Sequence, residues 1–219
     1  MIRDVPPALA HEKPLLRGVS HEIAAAAALF AWVGLAVVAG PGRARAAAHV
    51  YGASLFSLFF VSALYHRPTW KARARLLMRR LDHSAIFLLI AGTYTPFCLL
   101  LPPATGIPLL AIVWGGAAVG VLQSILWVRA PKPLVAAVYV LLGWAVVPVV
   151  PALRAALGGG AIALLMAGGA SYTVGALVYA ARRPDPFPRV FGYHEVFHAL
   201  VIAAAACHFA VAAAAIRAL

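Results

Sequence analysis

Long apolar runs separated by short, turn-rich connections dominate this chain. Each run is about 20 residues long, the length of an α-helix that crosses the hydrocarbon core of a bilayer. Glycine and proline interrupt the pattern at Gly40-Pro41-Gly42, at Pro102-Pro103 and at Gly158-Gly159-Gly160. The pattern predicts an all-α fold, an integral membrane bundle of seven transmembrane helices. The predicted spans are about 22–40, 46–66, 82–101, 108–128, 134–151, 161–180 and 194–215.

The composition agrees with this prediction. Hydrophobic residues make up 64% of the 219 residues and charged residues only 11%. Soluble domains carry about 25% charged residues, and disordered chains are poor in apolar residues. The composition therefore excludes both classes and indicates a multi-pass protein of the cell membrane.

The distribution of basic residues predicts the orientation. Fourteen of the 18 Lys and Arg residues lie in the N-terminal segment and in alternate connections after it. In membrane proteins the connections on the cytoplasmic side are the ones rich in Lys and Arg, so we expect a cytoplasmic N-terminus and an outside C-terminus. This assigns 1–20 to a cytoplasmic segment and 21–219 to the transmembrane domain. The net charge of +12 is then an orientation signal, and no nucleic-acid partner is expected.

This topology disfavours two classes of seven-helix protein. G-protein-coupled receptors place the N-terminus outside the cell. Retinal proteins need a lysine in the last helix, whereas the lysines here are Lys13, Lys71 and Lys132, all in connections.

Polar side chains from three helices are predicted to meet at one membrane depth. His66 ends helix two on the cytoplasmic side, and Asp82 and His83 open helix three there. His194 and His198 lie in the first turns of helix seven, which also starts inside. Ionisable residues in membrane spans are costly, and their convergence indicates a functional site.

The spacing of these residues is typical of a metal site. His194 and His198, at i and i+4, project from one helical face, and His66 supplies a third nitrogen. Three protein ligands leave a fourth position for water, the pattern of catalytic zinc. Asp82 would accept a proton or a hydrogen bond from that water, and Ser62, one turn before His66, would steady it or donate to an oxyanion. In isolation, Asp82 would be explained by the helix dipole and Ser62 by bonding to its own backbone.

A rival interpretation concerns the segment from His194 to His198, which reads H-E-x-x-H, the motif of zinc proteases whose Glu is the general base. An intramembrane metalloprotease would also need an acidic ligand, usually in Leu-Asp-Gly, which Leu81-Asp82-His83 matches only in its first two positions. Glu195 points about 100° around the helix from His194. His208, in mid-span, is predicted to be structural, and His21 at the start of helix one to lie at the interface within reach of the site.

At these positions the sequence resembles the haemolysin-III branch of the progestin and adiponectin receptor superfamily. The resemblance extends over nearly the whole membrane region and is weaker in helices four and five. The matching stretches are Ser62-Ala-Leu-Tyr-His66, Leu81-Asp82-His83, Ala91-Gly92-Thr93-Tyr94-Thr95-Pro96, Phe191 to His198, and Cys207-His208-Phe209.

The resemblance implies a seven-helix bundle with a cytoplasmic N-terminus and a zinc ion near the cytoplasmic face. By position, its three histidine ligands fall on His66, His194 and His198, its water-contacting acid on Asp82 and its helix-two serine on Ser62. Related receptors have Gln where Glu195 stands. The superfamily is similar to alkaline ceramidases, which implies hydrolysis of a lipid amide.

Three functions follow as hypotheses. The first is a zinc-dependent intramembrane hydrolase of a lipid amide or ester, with a membrane lipid as its substrate. The second is a non-catalytic, metal-containing receptor-like or membrane-homeostasis protein. The third, suggested by the family name alone, is a pore-forming cytolysin. The sequence sets neither the lipid nor the oligomeric state.

Overall fold

The computed structural model describes residues 13–219, and these are almost entirely helical. The predicted cytoplasmic segment 1–20 therefore lies largely outside the described residues. The helices are α1 (Val19–Val38), α2 (Arg43–His66), α3 (Ala72–Leu100), α4 (Pro103–Leu126), α5 (Lys132–Gly143), α6 (Val150–Ala181) and α7 (Tyr193–Ala218), with a short 3₁₀-helix (Trp144–Val149) between α5 and α6.

Six of the described helical stretches are long and apolar enough to cross a membrane. The predicted fifth and sixth spans fall in one of them, the 50-residue stretch Lys132–Ala181. A membrane protein built of helices is thus confirmed, whereas the count of seven spans depends on how this stretch is divided.

The stretch Lys132–Ala181 doubles back on itself. Gly158 adopts a left-handed backbone (φ 82°), which breaks the helix at the glycine run predicted as a connection. The indole N–H of Trp144, which precedes Gly158, donates a hydrogen bond of 3.0 Å to Oγ1 of Thr173, which follows Gly158. The Lys132 ammonium lies 4.6 Å from the centre of the Tyr179 ring. A straight helix of this length would extend about 75 Å, which these contacts exclude.

Helix α7 is the centre of the packing, since it contacts α1, α2, α3 and α6. The first four helices also pack in chain order, each against the next. The beginnings of α1 and α7 and the end of α2 consequently meet at one end of the bundle, beside α3.

Small residues permit the helices to approach closely. A Cβ atom on Gly92 would lie 2.1 Å from Ser54 Oγ of α2, and one on Gly168 would lie 2.3 Å from the His208 ring of α7. Close approach of this kind is how helices gain packing energy in lipid, where burial of apolar surface gives no advantage. Large apolar side chains instead face outward, as Val37 and Leu126 do at 77% and 80% exposure.

Helix α3 differs from its predicted extent. It begins at Ala72, well before the apolar run 82–101, so Asp82 and His83 lie inside the helix and do not open it. The added turns contain Arg73, Arg75 and other strong helix formers. A search for apolar runs ends at the membrane boundary and cannot detect a helix that continues into the polar layer.

Candidate metal centre

Three histidines from two helices form a compact cluster. His66 is the last residue of α2, and His194 and His198 lie in the first two turns of α7. Each offers a ligand atom, and these atoms all lie within 4.8 Å of one another. The Nε2 atoms of His66 and His194 are 3.1 Å apart. Two nitrogens on one tetrahedral zinc ion are separated by roughly 3.3 Å, so the cluster is close to ligand geometry.

The environment of His198 also fits a metal ligand. Its ring is only 1% exposed, and its Nδ1 atom has no hydrogen-bond partner among the described residues. A buried polar atom without a partner costs about 1–3 kcal/mol. A metal ion bound through this nitrogen would offset that cost. The donor set of three neutral imidazoles suits zinc and other late divalent metals.

Asp82 and Ser62 lie beside the cluster. The Ser62 hydroxyl is buried one turn before His66, and the Asp82 carboxylate from α3 faces it. Both side chains line the same cavity as the three histidines. His83 takes no part in the cluster, because its Nδ1 lies 2.9 Å from its own helix's Arg79 carbonyl oxygen. The structure thus brings together all five residues that the sequence proposed, and their roles remain predictions.

His21, which the sequence placed at the interface within reach of the site, is a direct neighbour of the site. Its Nδ1 is 2.9 Å from Ser62 Oγ, and its ring stacks on His198 with centroids 3.7 Å apart and planes within 4°. His21 lies in the first turn of α1, and its side chain is buried. The sequence contains a signal for this contact, because α1 starts at the same predicted membrane depth as α7 and the end of α2.

Glu195 points away from the cavity. Its Oε2 accepts the Gly192 backbone N–H at 2.9 Å and so caps α7, while Oε1 accepts from Arg17. The carboxylate is 2% exposed and does not line the cavity. Both oxygens have structural partners, an arrangement unlike that of a general base in an H-E-x-x-H protease.

The N-terminal segment 13–18 passes over the cluster. The backbone N–H groups of Leu15 and Leu16 donate to the carbonyls of Arg189 and Val190 in the connection before α7. Gly18 has φ 81°, and a Cβ atom on it would lie 2.8 Å from His66 Cβ. The segment covers His66 so closely that only glycine fits there.

The Lys13 ammonium holds this segment to the end of α2. It donates to the Arg67 carbonyl at 2.6 Å. Partial burial, together with the nearby Arg67 guanidinium, lowers the pKa of Lys13. The contact joins the segment to the residue that directly follows His66.

A cavity of about 930 Å³ extends from the cluster into the bundle. Its lining residues on α3 run from Arg75 to Phe97, about 33 Å of helix. Basic side chains surround its outer end, and apolar residues such as Val146, Leu165 and Met166 line its inner part. Its shape and polarity fit an amphiphile with one polar end and one long apolar chain.

Comparison with known proteins places this architecture in a family. The family model described as "Haemolysin-III related" matches residues 9–209. The chain is 37% identical over 161 residues to the "Hemolysin-3 homolog" of Bacillus subtilis (strain 168), covering 73% of this chain and 72% of that protein. It is 35% identical over 202 residues to "Hemolysin-3" of Bacillus cereus, covering 90% and 89% of the two chains. With its long apolar helices, the protein is a multi-pass integral membrane protein and belongs to the haemolysin-III family.

Proposed function

We propose that the protein is a zinc-dependent hydrolase of the membrane that cleaves a lipid amide or ester. One observation carries the proposal: a three-histidine cluster, with Asp82 and Ser62 beside it, lies at the polar end of a long apolar cavity. A structural metal site would need a fourth protein ligand, and it would need no cavity.

The proposal includes a seven-span topology. In this proposal the reversal at Gly158 would divide Lys132–Ala181 into two spans, and an odd number of spans would place the termini on opposite sides. The excess of Lys and Arg assigns the N-terminus, and with it the histidine cluster, to the cytoplasmic side.

The side chains of the site have separate roles in this proposal. A zinc ion held by His66, His194 and His198 would act as a Lewis acid and lower the pKa of a coordinated water to about 7. Asp82 would orient the attacking water and accept its proton. Ser62 would donate a hydrogen bond to the carbonyl oxygen as negative charge develops there.

The cavity would supply the binding energy and the specificity. Its apolar part would hold an acyl chain and keep bulk water from the reacting carbonyl. Its length on α3, about 33 Å, is comparable with the bilayer's hydrocarbon core. The substrate would therefore be a membrane lipid that enters from the bilayer, and nucleic acid would have no part in the function.

The test is release of fatty acid from a panel of lipid amides and esters by the purified, zinc-loaded protein. We expect turnover that falls about 10²–10⁴-fold in Asp82→Asn with zinc retained, and that is lost together with zinc in His66→Ala. His49→Ala is the matched control, because His49 bonds Trp32 at the other end of α2.

The other outcomes separate the remaining hypotheses. Zinc retained without turnover on any lipid would contradict the hydrolase and favour a receptor-like or homeostasis protein. Dye release from liposomes that persists in His66→Ala would favour the cytolysin that the names of the relatives suggest.

A further inference from the structure

Three cationic side chains from different parts of the chain meet at the outer end of the cavity. Arg79 comes from α3, Lys132 begins α5 and Arg182 directly follows α6. The guanidinium groups of Arg182, Arg79 and Arg17 are close enough to the Lys132 ammonium to repel it. It lies over the Tyr179 ring at 4.6 Å and near the Tyr193 ring at 5.8 Å.

This cation cluster has no counter-ion within residues 13–219. Arg17 pairs with Glu195 and Arg67 with Glu22, but no salt bridge there includes Arg79, Lys132 or Arg182. Asp185 also lines the outer end, where its carboxylate accepts the Tyr193 backbone N–H at 2.8 Å. Like charges held together without an anion repel each other, and binding of an anion would relieve that repulsion.

The tendency of Lys and Arg to mark the cytoplasmic side does not by itself explain where these three cations lie. Basic residues that only set orientation are free to extend into water, as the exposed Arg73 and Arg129 do. Arg182 is exposed as well, but it lines the cavity. Arg79 and Lys132 also line the cavity and are half-buried, which directs their positive charge toward a ligand there.

The cation cluster also adjoins the candidate metal centre. The Tyr179 ring, under Lys132, lies 6.0 Å from the His194 ring. Arg79 precedes Asp82 by three residues on α3, so the two side chains share a helix face. An anionic group held by the cations would lie close to the histidines, while an attached acyl chain continued into the apolar part of the cavity.

We propose that Arg79, Lys132 and Arg182 bind the phosphate of a phospholipid whose acyl chain lies in the cavity. The inference rests on the proposed function, for which it names the substrate class: lipids with an anionic phosphate head rather than neutral ones. Guanidinium and ammonium groups are the usual protein ligands of phosphate. The cytoplasmic leaflet, which these side chains face in the proposed topology, is also the anionic one.

The experiment measures binding rather than turnover, so it does not depend on hydrolysis. The full-length protein in neutral detergent is titrated with phosphatidylglycerol, with diacylglycerol of the same acyl chains, which lacks the phosphate, and with inorganic phosphate, and thermal unfolding is followed. The variants are Arg79→Gln and Lys132→Gln. Arg73→Gln and Arg129→Gln are their matched exposed controls.

We expect phosphatidylglycerol to bind at least about tenfold more tightly than diacylglycerol. Each cluster variant should weaken that binding about fivefold, the effect of about 1 kcal/mol per basic residue, and the controls should leave it unchanged. Phosphatidylglycerol selectivity without competition by millimolar phosphate supports a lipid headgroup as the ligand. Competition by phosphate supports the same site and shows that the site also binds the free ion.

Two results would overturn the inference: equal binding of the two lipids, or equal losses in the cluster and control variants. Selective binding without hydrolysis would leave the phosphate site standing and contradict only the proposed hydrolase. The variant His66→Ala should still bind phosphatidylglycerol, because the cation cluster does not need the metal.

Discussion

Helices α2 and α3 differ sharply from α4, although all three are apolar enough to cross the membrane. Within an apolar 18-residue segment of each helix, 56% of the residues are buried in α2 and 67% in α3, against 28% in α4. Helices α2 and α3 pack with α7 and carry His66, Ser62 and Asp82. Helix α4 faces outward with side chains such as Ile107, Val119 and Leu126.

The difference shows how the bundle accommodates a polar site. Ionisable groups are costly in lipid, so they lie only where several helices surround them. Helix α4 provides an outer apolar surface for α3. Substitutions in the α2–α3–α7 group should therefore change metal binding, chemistry and stability, whereas equivalent substitutions on the outer face of α4 should change little.

The largest effect is expected from His198→Ala, which removes one of the three proposed metal ligands. Affinity for zinc should fall by more than about 100-fold, since even outer-shell partners of a metal ligand contribute 10–100-fold. Metal analysis of the purified protein should show about one equivalent in the wild type and little in the variant.

The control for this prediction is His208→Ala, on the same helix. His208 Nε2 lies 3.1 Å from the Leu165 carbonyl oxygen, its partner in α6. Its loss should lower the melting temperature and leave the zinc content intact. Unchanged zinc in His198→Ala would refute the metal site.

A pair of glycines tests the packing difference directly. Gly92→Ala would force a methyl group to within 2.1 Å of Ser54 Oγ, whereas Gly115 on α4 has no side-chain neighbour within 4 Å. We expect Gly92→Ala to destabilise the protein by about 1–3 kcal/mol. Gly115→Ala should be neutral or slightly stabilising, because alanine favours a helix. Thermal unfolding in detergent measures both, and equal effects would show that α3 is not packed more tightly than α4.

An intermediate effect is expected from His21→Phe, which keeps an aromatic ring against His198 but removes the nitrogen beside Ser62. Turnover should fall about tenfold with zinc retained, comparable to the loss of one hydrogen bond to a reacting group. The variant His21→Asn, whose amide reaches the position of Nδ1, should recover part of the activity.

Ser62→Ala supplies the background that isolates this contact. If His21 acts through Ser62, His21→Phe should cause no further loss of turnover there. Loss of zinc in His21→Phe, or an undiminished tenfold loss in the Ser62→Ala background, would contradict a role through the serine.

Much of the site could be predicted from the sequence because charge and hydropathy act along one axis, the membrane normal. Once the Lys and Arg count assigned the ends of helices, depth alone put His66, Asp82 and His194 in one layer. The described structure indeed brings these side chains together. Where the membrane normal does not constrain the chain, prediction was weaker.

Three features could not be predicted from hydropathy and charge along the membrane normal. The stacking of His21 on His198 depends on the lateral order of α1 and α7, which depth does not specify. The extension of α3 to Ala72 depends on helix propensity beyond the apolar layer, which hydropathy does not detect. The cation cluster joins residues of α3, α5 and the end of α6, so it follows only from the reversal at Gly158.

The smallest effect on chemistry is expected from Glu195→Gln, and it decides between two interpretations of one motif. As the base of an H-E-x-x-H protease, Glu195 would contribute about 10²–10⁴-fold to turnover. In the structure it caps α7 through Gly192 and pairs with Arg17. Glutamine keeps one acceptor oxygen for the Gly192 N–H but loses the oxygen that accepts from Arg17, so the cap should survive and turnover should fall less than about fivefold with zinc retained. The lost ion pair should appear mainly as a lower melting temperature. A loss as large as that of Asp82→Asn would instead show that Glu195 reaches the reacting atoms.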